Sequence, residues 1–152
     1  MKNIKDQSLS KIELKKVLLR LDLNVPLKNG KVVDDNRIHK IIDTIIFLLQ
    51  NNTKIVIVSH VGRPNGKINE KLSLKPIAEK LEYILKTSPD SKHIYGAEQN
   101  LRLIKNNLNE ITKDNLFLRK NEKIVMLENI RFYKSEENND DDFAIKLASL
   151  GD

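Results

Sequence analysis

Arg20-Leu21-Asp22-Leu23-Asn24-Val25-Pro26 closes an apolar run that opens at Val17. Strand side chains alternate between two faces, so Arg20, Asp22 and Asn24 share one side. An arginine, a carboxylate and an amide in a row are costly to bury unless each finds a partner. The face is therefore either wet and functional or a structural ion-pair network. Open α/β sheets hold ligands at the carboxyl ends of their strands, which favours the functional reading.

The pattern around this stretch supports a parallel sheet. Residues 1 to 16 read as a polar lead-in with a short helical turn near Ser10, and Val17 to Asn24 as the first strand. Residues 25 to 32 form a loop or small hairpin, since Asn29-Gly30 supplies the positive φ of a tight turn. Asp34 to Asn51 has Ile38, Ile41, Ile42, Ile45, Ile46, Leu48 and Leu49 at helical spacing, with Asp34, Asp35 or Asn36 as cap. Lys54 to Ser59 is a second strand; its run Ile55-Val56-Ile57-Val58 suits a sheet covered on both faces. Ser73 to Lys86 is a second helix, capped by Ser73, with Pro76 tolerated in its first turn. Thr87 to Lys92 reads as a loop, 93 to 95 as at most a short strand, and Asn100 to Ile111 as a weak helix. Ile124 to Leu127 is a third buried strand. Asp140 to Leu150 is a helix with Phe143, Ala144, Leu147, Ala148 and Leu150 inward and Gly151 as its stop. Alternating strands and helices predict a three-layer α/β/α, Rossmann-like fold.

The chain has 152 residues, enough for one domain, with 39% hydrophobic and 32% charged residues. It lacks an apolar run of membrane-spanning length, and its start lacks the features of a secretory or mitochondrial leader. It contains no cysteine, which leaves no disulfide framework or thiolate metal site and makes a reducing cytoplasm the default. The net charge of +6 suits an acidic partner. The basic residues are 21 lysines and only six arginines. Arginine is the better fork for a carboxylate or phosphate, so its placement is informative. Arg20, Arg63 and Arg131 follow strand ends, and Arg37 begins a helix, where a cation opposes the dipole. Arg37 either pairs locally with Asp34 or Asp35 or joins the helix N-terminus in facing an anion. Arg102 and Arg119 are expected to be solvated. In Ser59-His60-Val61-Gly62-Arg63-Pro64-Asn65-Gly66, a histidine, a glycine and an arginine follow a strand end, which points to an anion site. The histidine has no second ligand at metal spacing.

In a parallel sheet all strand carboxyl ends lie on one side, so the clusters at 20–24, 60–63 and 128–131 converge on one rim, with Arg37 beside them. There is no repeat, no G-x-G-x-x-G or G-x-x-x-x-G-K-[ST] nucleotide fingerprint, and no Ser/His/Asp set. A nucleic-acid-binding domain is disfavoured because aromatics are 5% and the lysines are dispersed.

The same clusters resemble the phosphoglycerate kinase family. Residues 20–26 are similar to its RxDxNVP signature, and Asp34-Asp35-Asn36-Arg37-Ile38 to its following (D/N)xRI element. Residues 59–66 are similar to its SHLGRPxG, and Leu74-Lys75-Pro76-Ile77-Ala78 to its LKPVA. Leu127-Glu128-Asn129-Ile130-Arg131-Phe132-Tyr133 is similar to its LEN(V/L)RFY. The resemblance implies a two-lobe enzyme of glycolysis that moves a phosphoryl group between 1,3-bisphosphoglycerate and ADP, giving 3-phosphoglycerate and Mg-ATP. It implies that Asp22, Leu23 and Asn24 contact the glycerate, and that Arg37 lies by the transferring phosphoryl as the catalytic group. His60, Arg63 and Arg131 would hold the 3-phosphate, with Gly62 shaping the loop. Arg20 would be structural, orienting Asp22 or a neighbouring loop.

On this resemblance residues 1–152 are a partial N-terminal, phosphoglycerate-binding lobe, incomplete at its C-terminal end. The nucleotide lobe is absent from these residues. The expectation is no nucleotide or metal bound by this chain, no kinase activity by it alone, and a monomeric full enzyme with no nucleic-acid or membrane partner. The alternative is a non-catalytic anion-binding or interaction module that keeps the pocket. The stretch 92 to 122 departs from the family's pattern.

Overall fold

Four short parallel strands carry the fold, and a computed structural model describes residues 11–152. The lead-in before residue 11, including the turn expected near Ser10, lies outside the described residues. In chain order the elements are β1 (Lys16–Arg20), the hairpin β2 (Leu27–Lys28) and β3 (Lys31–Val32), α1 (Asn36–Gln50), β4 (Lys54–Val58), α2 (Lys75–Thr87), α3 (Lys92–Tyr95), β5 (Arg102–Ile104), β6 (Ile124–Leu127), α4 (Lys134–Glu137) and α5 (Asp141–Ala148). The main sheet runs β1-β4-β6-β5, with every neighbouring pair parallel.

The β-branched run of β4 works as its pattern predicts. Ile55 and Ile57 enter the core beneath α1 and α2, while Val56 and Val58 enter a second core with Leu147 and Leu150. β6 divides in the same way, Ile124 and Met126 to one side and Val125 and Leu127 to the other. Period-2 alternation thus builds two cores on the two faces of one sheet, which is the expected three-layer α/β/α arrangement. The Asn29-Gly30 turn closes the hairpin with both residues at positive φ, 50° and 70°.

Several local expectations are corrected. β1 stops at Arg20, although exposure keeps alternating from Leu21 to Val25. Residues 93–95 belong to a helical turn rather than a strand. The weak helix expected over 100–111 is instead β5 followed by a 3₁₀ turn, Leu108–Glu110. In α5, Leu147 is buried and Phe143 half-buried, but Ala144 and Ala148 are exposed; Leu150, beyond the helix end, is buried. Asp140 caps α5 by accepting from the Phe143 amide at 2.8 Å. The helix ends at Ala148, so Gly151 is not its stop. A Cβ on Gly151 would lie 3.1 Å from Leu18 Cβ and 3.2 Å from Leu18 N. Glycine there lets the chain lie against β1, where the Asp152 amide donates to the Lys16 carbonyl at 2.8 Å and the Lys16 amide to Asp152 Oδ2 at 2.7 Å.

Candidate functional site

Arg20 pairs with Val58 across the sheet, and Ile57 with Met126, so β1, β4 and β6 end on the same side. Their continuations build the rim. Beyond Arg20 the chain stays extended: the Leu21 amide donates to the Val58 carbonyl at 2.9 Å. The Ser59 hydroxyl then takes over the ladder, accepting from the Leu23 amide at 3.1 Å and donating to the Leu21 carbonyl at 2.8 Å. This holds Leu21, Leu23 and Val25 in the core and leaves Asp22 and Asn24 exposed. Leu23 itself is fully buried, so only its backbone can face a ligand.

The loop after Ser59 is fastened from two sides. Asn24 Oδ1 accepts from the Gly62 amide at 2.9 Å. Asn129, fully buried, donates from Nδ2 to the carbonyls of Val61 and Leu72, both at 2.8 Å, and accepts from the Arg131 amide at 3.1 Å. The Gly66 amide donates to the Arg131 carbonyl at 3.2 Å. Gly62 has φ +65°, a conformation that favours glycine, and a Cβ there would sit 2.7 Å from Leu72 Cδ2 and push the end of that side chain aside. Glu128 accepts from the Ser73 hydroxyl (2.6 Å) and the Leu74 amide (2.7 Å), docking the start of α2 on the end of β6. Ser73 Oγ also accepts from the Lys75 amide at 3.2 Å, but the N-cap of α2 is Leu74 rather than the expected Ser73, because the helix begins one residue later. The sequence groups Glu128 and Asn129 with Arg131 but assigns them no role. Their signal is the one that marks 60–63: polar side chains directly after a buried strand.

The cations fall into two neighbouring groups. Arg20, Arg63 and Arg131 line an open cavity of about 620 Å³ with Asn65, Glu136, Glu137 and Asn139. Arg37, in the first turn of α1, pairs with Asp22 rather than with Asp34 or Asp35. Asp35 is engaged by Lys80 at 2.9 Å. Arg20 does not reach Asp22; its Nη2 donates to Glu136 at 2.7 Å, joining β1 to α4. Arg102 is not solvated: its guanidinium pairs with Glu122, whose side chain is 4% exposed. Arg119 is exposed, as expected.

Charge links the groups. Partial burial is the largest influence on His60 and lowers its pKa, with Arg131 and Arg20 acting the same way. Glu136 and Asp22 oppose them without prevailing, so the imidazole is neutral near pH 7. Burial raises the Asp22 carboxyl, but the Asn24 amide, Arg37 and His60 outweigh it and hold the group below the ordinary aspartate range. The rim therefore presents an anion beside Arg37, a neutral imidazole, and three guanidiniums with two carboxylates, Glu136 and Glu137, around an open cavity. Guanidiniums so placed can grip a small polyanion with charge-assisted hydrogen bonds. Among the described residues no group of three or more His, Cys, Asp or Glu side chains could hold a metal ion. No helix there is long and apolar enough to cross a membrane.

Comparison with known proteins agrees with this geometry. The family model of phosphoglycerate kinase matches residues 5–152. The phosphoglycerate kinase of Borreliella burgdorferi strain ZS7 is 39% identical over 151 residues, covering 99% of this chain and 35% of that protein. That of Helicobacter pylori strain J99 is 43% identical over 154 residues, covering 100% and 35%. The solved phosphoglycerate kinase of Coxiella burnetii superposes with a TM-score of 0.77 at 30% identity, over 98% of this chain and 33% of its own. The chain thus spans about a third of the length of the relatives it matches. With the sheet, the rim and the match all along the described residues in agreement, this chain belongs to the phosphoglycerate kinase family.

Proposed function

We propose that these residues form the phosphoglycerate-binding side of a phosphoglycerate kinase, which transfers a phosphoryl group between 1,3-bisphosphoglycerate and ADP. One observation carries the reading: Arg20, Arg63 and Arg131 from three strand ends open onto one polar cavity beside His60 and the Asp22–Arg37 pair. The 3-phosphate sits among Arg63, Arg131 and His60. Asp22 and the free amide nitrogen of Asn24 orient the glycerate, and Leu23 contributes backbone only. Gly62 keeps the loop close enough for its backbone to approach the ligand.

In the transfer, an oxygen of the ADP β-phosphate attacks the phosphorus of the C1 acyl phosphate. The bond from phosphorus to the acyl oxygen breaks, and its electron pair leaves on the 3-phosphoglycerate carboxylate. Such a reaction needs positioning and charge neutralisation more than covalent help. Arg37 is the catalytic residue in this reading, steadying the charge that builds on the leaving carboxylate and the moving phosphoryl. Asp22 holds the Arg37 guanidinium until substrate arrives. The nucleotide with its Mg²⁺ is the second substrate, and the residues described here bind and orient the first. The reading carries with it a monomeric, cytoplasmic enzyme of glycolysis.

Calorimetric titration of the 152-residue chain with 3-phosphoglycerate tests the reading. Binding is expected, with glycerate lacking the phosphate at least ~10-fold weaker and Arg63→Ala weakened by a similar factor. Equal affinity for glycerate and 3-phosphoglycerate overturns it. A coupled assay of the same chain alone is expected to show no turnover, because its sequence has no nucleotide fingerprint.

A further inference from the structure

Glu136 stands out within the cavity because an acid is out of place among arginines that await an anion. Its side chain is 8% exposed, although it lines the pocket wall. One carboxylate oxygen, Oε1, accepts from Arg20 Nη2 at 2.7 Å. The other, Oε2, faces Arg131 Nε at 3.5 Å. That Nε is buried and makes no hydrogen bond. Arg20 ends β1 and Arg131 follows β6, and β4 lies between those strands. The carboxylate therefore bridges two guanidiniums across the end of an intervening strand. Without it, two cations would face each other over a shared cavity and repel.

α4 is where this acid is presented. The Gly66 backbone packs against it so closely that a Cβ on Gly66 would lie 2.8 Å from Lys134 Cβ and 3.0 Å from its Cα. Arg131 Nη1 donates to the Gly62 carbonyl at 3.3 Å, which steers the other edge of the same guanidinium. Glu137, the next residue, lines the same cavity but is exposed and pairs with neither arginine.

We infer that Glu136 is a positioning residue of the anion pocket: its carboxylate sets Arg20 and Arg131 side by side so that their free N–H groups face one phosphate. The inference rests on the phosphate-binding reading above. It also makes a prediction opposite in sign to simple electrostatics. Removing a carboxylate from beside an anion site should tighten anion binding if charge alone matters. Removing the group that aims two arginines should weaken it. As Arg131 engages the phosphate, its Nε closes onto Glu136 Oε2 and becomes hydrogen-bonded.

The test compares 3-phosphoglycerate affinity in the unaltered chain, Glu136→Gln and Glu137→Gln by calorimetry, with folding checked by circular dichroism. Glu136→Gln is expected to bind about ten-fold more weakly, and Glu137→Gln as tightly as the unaltered chain or more so. The Arg131 Nε proton resonance, followed by NMR, is expected to move downfield on saturation in the unaltered chain and to stay put in Glu136→Gln. Should Glu136→Gln unfold, Glu136→Asp serves instead. It keeps the charge but is too short to span both arginines, and a several-fold loss is expected. Affinity in either variant equal to or above that of the unaltered chain overturns the inference while leaving the binding reading intact. Absence of binding by the unaltered chain removes both.

Discussion

Ser59 does with one hydroxyl what a further strand residue would do with its backbone. It follows β4, is 1% exposed, and completes a donor and an acceptor of the chain beyond β1. Ser59→Ala leaves the Leu23 amide and Leu21 carbonyl without these partners in a buried place. A loss of about 1–3 kcal/mol is expected in urea denaturation. Its neighbour His60 reports on charge instead. Burial, with Arg131, puts the folded pKa below the ordinary 6.5. Between the folded value and 6.5 the unfolded chain binds more protons, so stability is complete above 6.5 and declines as pH falls through it. The urea midpoint of the unaltered chain should drop from pH 7.5 to pH 5 by more than that of His60→Gln. An equal drop in both would show that His60 is not the group responsible. Asp22, Asn24 and Arg37 could be selected from the sequence because polar groups at a strand end and a cation at a helix start both break local rules. The partner of Arg37 could not, because Asp22 is 15 residues away and meets it only through the turn of the fold.

At the scale of elements, segments with a full helical stripe or an unbroken apolar run were legible and the others were not. α1, α2, β4 and β6 fall where their pattern puts them, since each helix buries one stripe and each of these strands is an apolar run buried on both faces. The segment from 100 to 111 misleads for a specific reason. Leu101, Ile104, Leu108 and Ile111 are all buried and spaced like a helical stripe. They are buried in different places: Leu101 under α1 and α2, the other three on the opposite face of the sheet. Spacing shows that residues are buried but not in which core. The same segment hides an ion pair. Arg102 meets Glu122 through Nε at 2.7 Å and Nη2 at 3.1 Å, tying β5 to the chain ahead of β6. Burial raises the Glu122 carboxyl, but Arg102 and the Leu118 and Arg119 amides prevail and lower it. Its contribution is therefore present above the ordinary glutamate range and lost as pH falls through the depressed value. Arg102→Leu strands a buried carboxylate and should cost about 3–5 kcal/mol at pH 7. The deficit should narrow toward pH 4, as Glu122 in the variant takes up a proton earlier. A deficit independent of pH would show that lost packing, and not the charge, is responsible.

Across the whole molecule, the rim is the meeting point of parts that lie far apart along the chain. The bond from Gly62 to Asn24 joins residues 38 apart, and those from Asn129 to Val61 and Arg131 to Gly62 join residues 68 and 69 apart. Contacts of such separation are expensive in chain entropy and form after local ones. The pocket has no local precursor; it exists only when β1, β4 and β6 are all in place. This gives the two asparagine fastenings a consequence in time. On the proposed reading of the rim as a phosphate site, a half-folded chain offers phosphate nothing to hold, so 3-phosphoglycerate should not hasten folding. It should act on the finished molecule alone, slowing escape from it. In stopped-flow denaturant jumps, saturating ligand is expected to depress the unfolding arm and leave the folding arm where it was. A lifted folding arm would mean the rim assembles early. With the folding arm unmoved, the loop that Asn24 and Asn129 fasten would be a clasp that closes last, and ligand would lengthen the life of a chain without helping to make it.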